Sequence, residues 1–301
     1  MPRTIRILTT SLFVPVAVIT TLPASADFIP VETFDALTLG PIDDQNGWNA
    51  RHDTSIVTLD PAGGSNQALA VATDSTWVYK SVFIPDGTMR MLFVRFRFAG
   101  QQNYSFGMSD SSSPDQFGHF EVELSMTNAT NELRVNDDGN YKVLRPLTPD
   151  TWYNVWLKID NQNDYTSIYL HDRPGEPADA SDLLDIAGQT EFVFRDGYAG
   201  DLRTFFIKTG GGSGPSGPLY LDDIYLEDTD ALNLSNPAAT DCPGDVDGNG
   251  ITNLQDLAAL LGAYGTTSLD PNFNPAADFD GNGVIELSDL AFLLADYGCG
   301  G

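Results

Sequence analysis

The sequence predicts a mainly β chain: an antiparallel two-sheet jelly-roll sandwich followed by a small α-helical module. Three observations carry this. Between residues 28 and 229, apolar and polar residues alternate with the period of half-buried strands. Turn-forming residues cut that span into short pieces. The C-terminal stretch then repeats one loop-helix pattern 33 positions apart.

Four segments show the alternation: Leu92, Val94, Phe96, Phe98; Phe120, Val122, Leu124, Met126; Tyr153, Val155, Leu157, Ile159; and Leu219, Leu221, Ile224, Leu226, the last with a register shift at Asp222-Asp223. Asp86-Gly87, Asp138-Gly139, Asn161 to Asp164 and Gly210 to Gly212 supply the turns. No amphipathic helix longer than two turns is evident in this span. Many short antiparallel strands in a domain of this size favour two packed sheets, because a five- or six-strand barrel is too small for the length.

The repeat is explicit. Asp245-Val-Asp247-Gly-Asn249-Gly250-Ile251-Thr-Asn253-Leu-Gln-Asp256 returns as Asp278-Phe-Asp280-Gly-Asn282-Gly283-Val284-Ile-Glu286-Leu-Ser-Asp289. Oxygen-bearing side chains stand at loop positions 1, 3, 5, 9 and 12, with glycine at 6, the spacing by which a short loop wraps calcium. A hard cation that takes six to eight oxygens needs such convergence. The carbonyl of Ile251 or Val284 supplies the seventh position, and the sequence predicts two calcium ions.

Each loop runs into a helix with matched apolar spacing: Leu254, Leu257, Leu260, Leu261 and Tyr264, then Leu287, Leu290, Leu293, Leu294 and Tyr297. That spacing places each set on one helical face, so the two faces are expected to pack together, and Gly265 and Gly298 end the helices. With Asp256 and Asp289 at position 12, where an EF-hand has Glu, and no entering helix, residues 241–301 resemble a type I dockerin. The resemblance implies two calcium loop-helix repeats and a cohesin-type scaffold module as partner. At positions 10 and 11, where that family carries a Ser-Thr pair, this chain reads Leu254-Gln255 and Leu287-Ser288, and the family's Lys-Arg pair is missing from the helices.

The chain has two cysteines, Cys242 and Cys299, which bracket this module. Dockerin termini lie close together, so the resemblance implies a disulfide, which fits an oxidising compartment. Export is also predicted at the other end. Arg3 and Arg6 precede an apolar run from Ile7 to about Leu22, and Ala24-Ser25-Ala26 forms a small-x-small cleavage site, so residues 1–26 read as a signal peptide. No later segment is long and apolar enough to span a membrane. The expected location is extracellular or at the cell surface. A formal net charge of -27 disfavours nucleic acid and anionic membranes as partners. Residues 230–240, with Asn236-Pro237, read as a linker after a central domain of 27–229.

The central domain carries Glu32-Thr-Phe34-Asp35 with Gln45-Asn46-Gly47-Trp48, Thr151-Trp152-Tyr153-Asn154-Val155-Trp156-Leu157-Lys158-Ile159-Asp160, and Tyr220-Leu-Asp222-Asp223-Ile224-Tyr225-Leu226. These segments resemble the concanavalin A-like, laminin G-like superfamily of lectins, glucanases and polysaccharide lyases. The resemblance implies that the outer face of one sheet forms a sugar groove. Period-2 geometry turns Trp152, Asn154, Trp156, Lys158, Arg95 and Arg97 outward as sugar-binding candidates, because indoles stack on pyranose faces and polar groups bond hydroxyls. His119, Glu121 and Glu123 turn outward on another strand and are the candidates for catalysis by a glycosidase or lyase on the same face. The glucanase motif Glu-x-Asp-x-x-Glu is broken here, with Glu123 at its centre and Met126 at its end. Glu32, Asp222 and Asp223 are candidates for a third, structural calcium if the first and last strands pair. The preferred reading is polysaccharide binding. An enzyme is the alternative, and a structural protein without a sugar site is favoured if Trp152 and Trp156 prove buried.

Overall fold

A computed structural model describes residues 28–62, 66–100, 103–127, 129–197, 200–210, 217–238, 242, 244–247 and 252–299. The predicted leader lies outside these residues, as do Asn249 and Ile251 of the first loop.

Sixteen strands are present among the described residues: β1 Phe28–Glu32, β2 Gly40–Pro41, β3 Trp48–Ala50, β4 Ile56–Leu59, β5 Gln67–Val71, β6 Trp77–Ile84, β7 Met89–Phe98, β8 Tyr104–Ser109, β9 Val122–Met126, β10 Glu132–Asp137, β11 Asn140–Pro146, β12 Tyr153–Asp160, β13 Tyr165–His171, β14 Phe192–Val193, β15 Leu202–Thr209 and β16 Leu219–Glu227. They form two antiparallel sheets. The nine-stranded sheet runs β14-β13-β12-β7-β16-β5-β4-β2, with β1 on the second half of β16; the seven-stranded sheet runs β11-β10-β9-β8-β15-β6-β3.

Between the sheets lies one core in which the predicted alternation is realised. Leu92, Val94, Phe96 and Phe98 of β7 and Tyr153, Val155, Leu157 and Ile159 of β12 face Phe106, Leu124, Val135 and Ile207 of the other sheet. The register shift of β16 is a bulge: pairing with β7 slips between Asp222 and Tyr225, and Asp223 takes φ 50°. The bulge keeps both Leu221 and Ile224 in the core. Phe120 departs from the expected pattern. It sits just before β9 and stacks on Phe206, centroids 4.4 Å apart, rather than joining the inter-sheet core.

Gly107 marks a close approach. Its φ is 153°, and a Cβ there would fall 2.0 Å from the Val122 carbonyl oxygen, so any side chain would force β8 and β9 apart. At the sandwich edge, buried Glu32 accepts from Lys80, Trp48 and Asn46 at 2.8, 3.0 and 2.9 Å.

The C-terminal module has two helices, α1 Leu254–Ala263 and α2 Leu287–Asp296. Its small core is Val246, Leu260, Ala263, Ala277, Ile285 and Leu293. The expected packing of both complete apolar faces does not occur. Leu260 and Leu293 are buried, whereas Leu254, Leu261, Tyr264, Leu287, Leu294 and Tyr297 are exposed, since two ten-residue helices touch along only one narrow seam.

The repeats interlock reciprocally. Gly265 N–H donates to the Ile285 carbonyl and Ile285 N–H to Thr266; Gly298 N–H donates to the Thr252 carbonyl and Thr252 N–H to Cys299. Each loop is therefore tied to the chain leaving the other repeat's helix. A Cys242–Cys299 disulfide closes the module, with Cα atoms 5.6 Å apart.

Candidate functional site

The outer face of the nine-stranded sheet is largely sealed. Tyr169, Trp156, Phe93 and Tyr225 stand opposite one another across β13, β12, β7 and β16. Met91 and Ala178 are buried in the same cluster, and Leu183, Leu234 and Ala238 pack over it. Trp156, expected as an exposed sugar platform, is fully buried, and its indole N–H donates to the Ser235 carbonyl at 2.8 Å. The cover comes from residues 230–238, expected to be linker, which run along the sheet instead; Ala178 N–H donates to the Leu234 carbonyl at 2.9 Å. An apolar row of this size is more stable covered than wet, which is why this stretch docks.

The other candidates on that sheet are engaged as well. Asn154 is buried and donates to the Arg173 carbonyl at 2.9 Å. Arg95 binds Asp223 at 2.7 Å and lies 5.1 Å over the half-buried Trp152 ring, whose N–H donates to Asp60. Arg97 pairs with Asp150 at 2.9 Å and Lys158 with Glu191 at 3.6 Å.

The suggested third calcium site is not assembled. Glu32 is saturated by donors at the sandwich edge, while Asp222 accepts from Asn66 at 2.9 Å and Asp223 binds Arg95. Burial, together with the neighbouring Asp223, pushes the Asp222 carboxyl above its usual range.

Glu123 lies on β9 of the opposite sheet, with Glu121 immediately before that strand and His119 in the 3-10 turn Phe117–His119 leading to it, so the three do not share a strand face with Arg95, Arg97, Trp152 or Trp156. Pairing of β6, β15, β8, β9 and β10 instead sets two transverse rows on the outer side of the seven-stranded sheet. One reads Trp77, Lys208, Ser105, Ser125, Arg134; the other begins Tyr79, Phe206, Gly107, Glu123. With strands about 4.8 Å apart, the first row spans about 19 Å.

Glu123 is the hub of this face. Its side chain is buried and accepts from Ser105, Asn136, Tyr141 and Arg195 at 2.7 to 2.9 Å. Arg134 lies 4.5 Å over the Tyr141 ring and donates to Ser125, while Trp77 stacks on Tyr79 with centroids 5.5 Å apart. The Oδ1 of Asn136 and the Nε of Arg134 are buried without a hydrogen-bond partner.

Glu121 stands near one end. Its Oε2 has no partner, and burial, with Asp110 and Asp196 nearby, raises its pKa to about 7. His119 is half-exposed; its Nδ1 accepts from Asp115 N–H at 3.1 Å. The Trp77/Tyr79 pair and Arg134 were missed in the sequence, although the alternation Trp77-Val78-Tyr79 already turned both rings to one side.

The module's two loops bring carboxylates together. Asp245, Asp247 and Asp256 offer oxygens all within 4.8 Å of one another, as do Asp278, Asp280 and Asp289; both clusters could hold a metal ion. Asp256 and Asp289 are fully buried. Asp256 accepts from Val246, Asp247 and Asn253 N–H groups at 2.9, 3.1 and 2.7 Å, so one carboxylate closes the loop and caps α1. Asp289 does the same for Phe279 and Glu286.

In the second loop Gly283 takes φ 80°, as the sharp turn requires. Asn282 Oδ1 accepts from Val284 N–H and its Nδ2 donates to Asp280 and Glu286, so Asn282 must turn to serve as a ligand. Val284 bridges to Thr267. Asn253 caps α1 through Gln255 N–H. No Lys or Arg follows Lys208 in the chain. The clusters therefore have no basic side chain of their own module to balance them, and the donor set fits a hard divalent cation.

No protein-family profile and no curated protein matches the chain. Solved structures resembling it include the catalytic domain of a glycoside hydrolase family 131 protein from Coprinopsis cinerea (15% identity, 68% of this chain and 95% of that one, TM-score 0.47). The exoplasmic/lumenal domain of VIP36 in its Ca2+/Man2-bound form also aligns (8%, 69% and 89%, TM-score 0.42). A sialidase aligns at 12% identity over 68% of this chain, with TM-score 0.48, but the matched region is only 19% of the sialidase. Among the described residues no helix is long and apolar enough to cross a membrane.

Proposed function

We propose that this is an exported, calcium-binding protein whose sandwich holds polysaccharide on the outer face of the seven-stranded sheet and whose dockerin-like module carries two calcium ions. The observation behind the sugar reading is the transverse row from Trp77 through Lys208 to Arg134, beside Tyr79, Glu123 and Tyr141. It combines stacking rings with fixed donors and acceptors, the composition a glycan needs. Trp156 is buried, and so are Lys208, Ser105, Ser125 and Glu123 at the centre of the seven-stranded row, so the reading rests on the row's partly exposed ends, Trp77 with Tyr79 and Arg134 with Tyr141. The exposed leucines of α1 and α2 with the tyrosines that follow each helix, repeated 33 positions apart, would form the surface for a partner of the cohesin type. The protein would thus hold a glycan close to a scaffold or surface during polysaccharide breakdown or adhesion.

The test is retention of the calcium-loaded mature chain on a panel of neutral and acidic polysaccharides, with bound protein and new chain ends scored together. Retention that Trp77→Ala abolishes and Trp152→Ala spares supports this reading; retention untouched by Trp77→Ala refutes the assigned face.

A second reading, a glycosidase or lyase, has one observation in its favour. Burial raises the Glu121 pKa to about 7, the range a general acid uses, two positions from Glu123. New chain ends lost in Glu121→Gln would establish it.

A further inference from the structure

The row on the seven-stranded sheet ends in an arrangement of charge that glycan binding alone does not require. Lys208 is 6% exposed, yet no carboxylate among the described residues pairs with it. Among the described residues its Nζ donates to the carbonyls of Ser75 and Thr76, at 3.4 and 3.3 Å, and sits 5.6 Å over the Phe117 ring. Asp115 lies within electrostatic reach and partly offsets the charge, but it makes no ion pair with Lys208.

Arg51 donates to the same Ser75 carbonyl at 3.0 Å. Ser75 adopts φ 63°, a conformation that costs a non-glycine residue energy and that here presents its carbonyl to both cations. Burial, reinforced by the Arg51 charge, lowers the Lys208 pKa. A buried ammonium beside a second cation, served by two long carbonyl contacts, is poorly compensated. The protein has 42 acidic residues against 15 Lys and Arg, so leaving these two cations without an ion pair among the described residues runs against its composition. Trp77 stands directly opposite Lys208 in the sheet pairing, and its carbonyl accepts from Arg51 N–H at 3.0 Å.

The geometry points to an anion subsite at Arg51 and Lys208 beside the Trp77/Tyr79 pair, one that takes the carboxylate or sulfate of an acidic sugar residue whose ring stacks on Trp77. This rests on the glycan reading of the same face and specifies its ligand class. The anion supplies the counter-charge that Lys208 lacks and accepts from the Arg51 guanidinium, while the indole covers the apolar side of the ring. A neutral sugar would gain the stacking alone.

The experiment is titration calorimetry of the full mature chain, at fixed calcium, with three probes: a soluble uronate oligosaccharide, its carboxyl-reduced neutral counterpart, and a sulfated oligosaccharide of equal length. The uronate or the sulfated oligomer is expected to bind at least about tenfold more tightly than the reduced one, the scale of one charge-assisted contact. Whichever of the two binds more tightly identifies the anionic group. Arg51→Gln, on an exposed side chain, and Lys208→Met, which keeps the buried stem, should each remove that preference, so that charged and reduced oligomers bind alike. Trp77→Ala should weaken all three. Equal affinity for charged and reduced oligomers, with Trp77→Ala still harmful, overturns the anion subsite and spares the glycan reading. No binding of any probe overturns both. Charge preference that survives Arg51→Gln and Lys208→Met also overturns the subsite, since calcium bridging between acidic loops and the sugar would then account for it. The comparison of charged with reduced oligomer on the unmodified chain needs no variant to fold.

Discussion

Glu123 in the sandwich and Asp256 in the C-terminal module are both buried carboxylates, with 1% and 0% of their surface exposed, but they are stabilised differently. Glu123 has its own cation, Arg195, and three neutral donors. Among the described residues the donors to Asp256 are backbone N–H groups, and two further carboxylates lie close to its oxygens. The sandwich thus completes its electrostatics with its own side chains, above a core that spans both sheets. The module leaves six carboxylates in two unbalanced clusters on a core of a few apolar residues. The first should fold without help, and the second should need cations.

The sharpest way to break this comparison is chelation. Removing divalent metal should abolish the helical circular dichroism of α1 and α2 while the β signal of the sandwich and its thermal transition persist. The free energy of filling such loops is folding free energy. Asp256→Ala or Asp289→Ala should reduce calcium stoichiometry from two to one or fewer, measured by calorimetry. A helical signal unchanged in chelator would show that the module balances its charge some other way.

Glu123→Ala is the corresponding cut in the sandwich. It leaves the Arg195 guanidinium, Tyr141 hydroxyl and Asn136 amide without their acceptor, and removing one member of a buried pair costs about 3–5 kcal/mol. The lower end applies, because Arg195 keeps 22% of its side-chain surface in solvent. Urea denaturation should register this loss equally with and without calcium, whereas Asp256→Ala should cost stability only with calcium present. Removal of the disulfide by Cys242→Ser with Cys299→Ser comes next. Cross-linking a loop of 57 residues contributes about 4 kcal/mol in the chain-entropy model. The loss should appear in the module's transition and not in the sandwich's.

The sequence revealed these two regions unequally. The clustering of Asp245, Asp247 and Asp256, and of Asp278, Asp280 and Asp289, was readable because a loop that wraps a metal would fix residue type and spacing within a dozen positions. The strands of β7, β12 and β16 were readable from period-2 alternation, and even the bulge at Asp222-Asp223 announced itself as a slip in that period. What alternation cannot say is which outer face is wet. Trp156 pointed outward as expected, yet Ser235 and Leu234, some eighty residues later, fold over it. Nor can it say which strands share a sheet. His119, Glu121 and Glu123 were expected to share a face with Arg95 and Trp152, but strand order puts Glu123 in the opposite sheet, and His119 and Glu121 stand just ahead of its strand. Within the helices, the spacing of Leu254, Leu261 and Tyr264 fits burial and partner binding equally, and only the short contact between α1 and α2 decides that they stay exposed.

The smallest effect sharpens the comparison most, because Glu121, like Glu227, departs from the sandwich's pattern: among the described residues it is a buried carboxylate with no ion pair and one oxygen without a partner. Burial, then Asp110 and Asp196, raise its pKa from 4.5 to about 7. A raised carboxylate pKa means that the folded state holds the proton more tightly than the unfolded state. The resulting stabilisation is fully present below the unfolded value and is lost as pH rises through about 7. Urea midpoints of the sandwich, followed in chelator so that the loops do not contribute, should therefore fall between pH 4.5 and 7 and level off above. Glu121→Gln keeps the shape, removes the charge, and should flatten that slope while raising the midpoint at pH 8. A slope unchanged in the variant would move its origin to Asp222 and Asp223, whose carboxyls are also raised by burial and share the single guanidinium of Arg95.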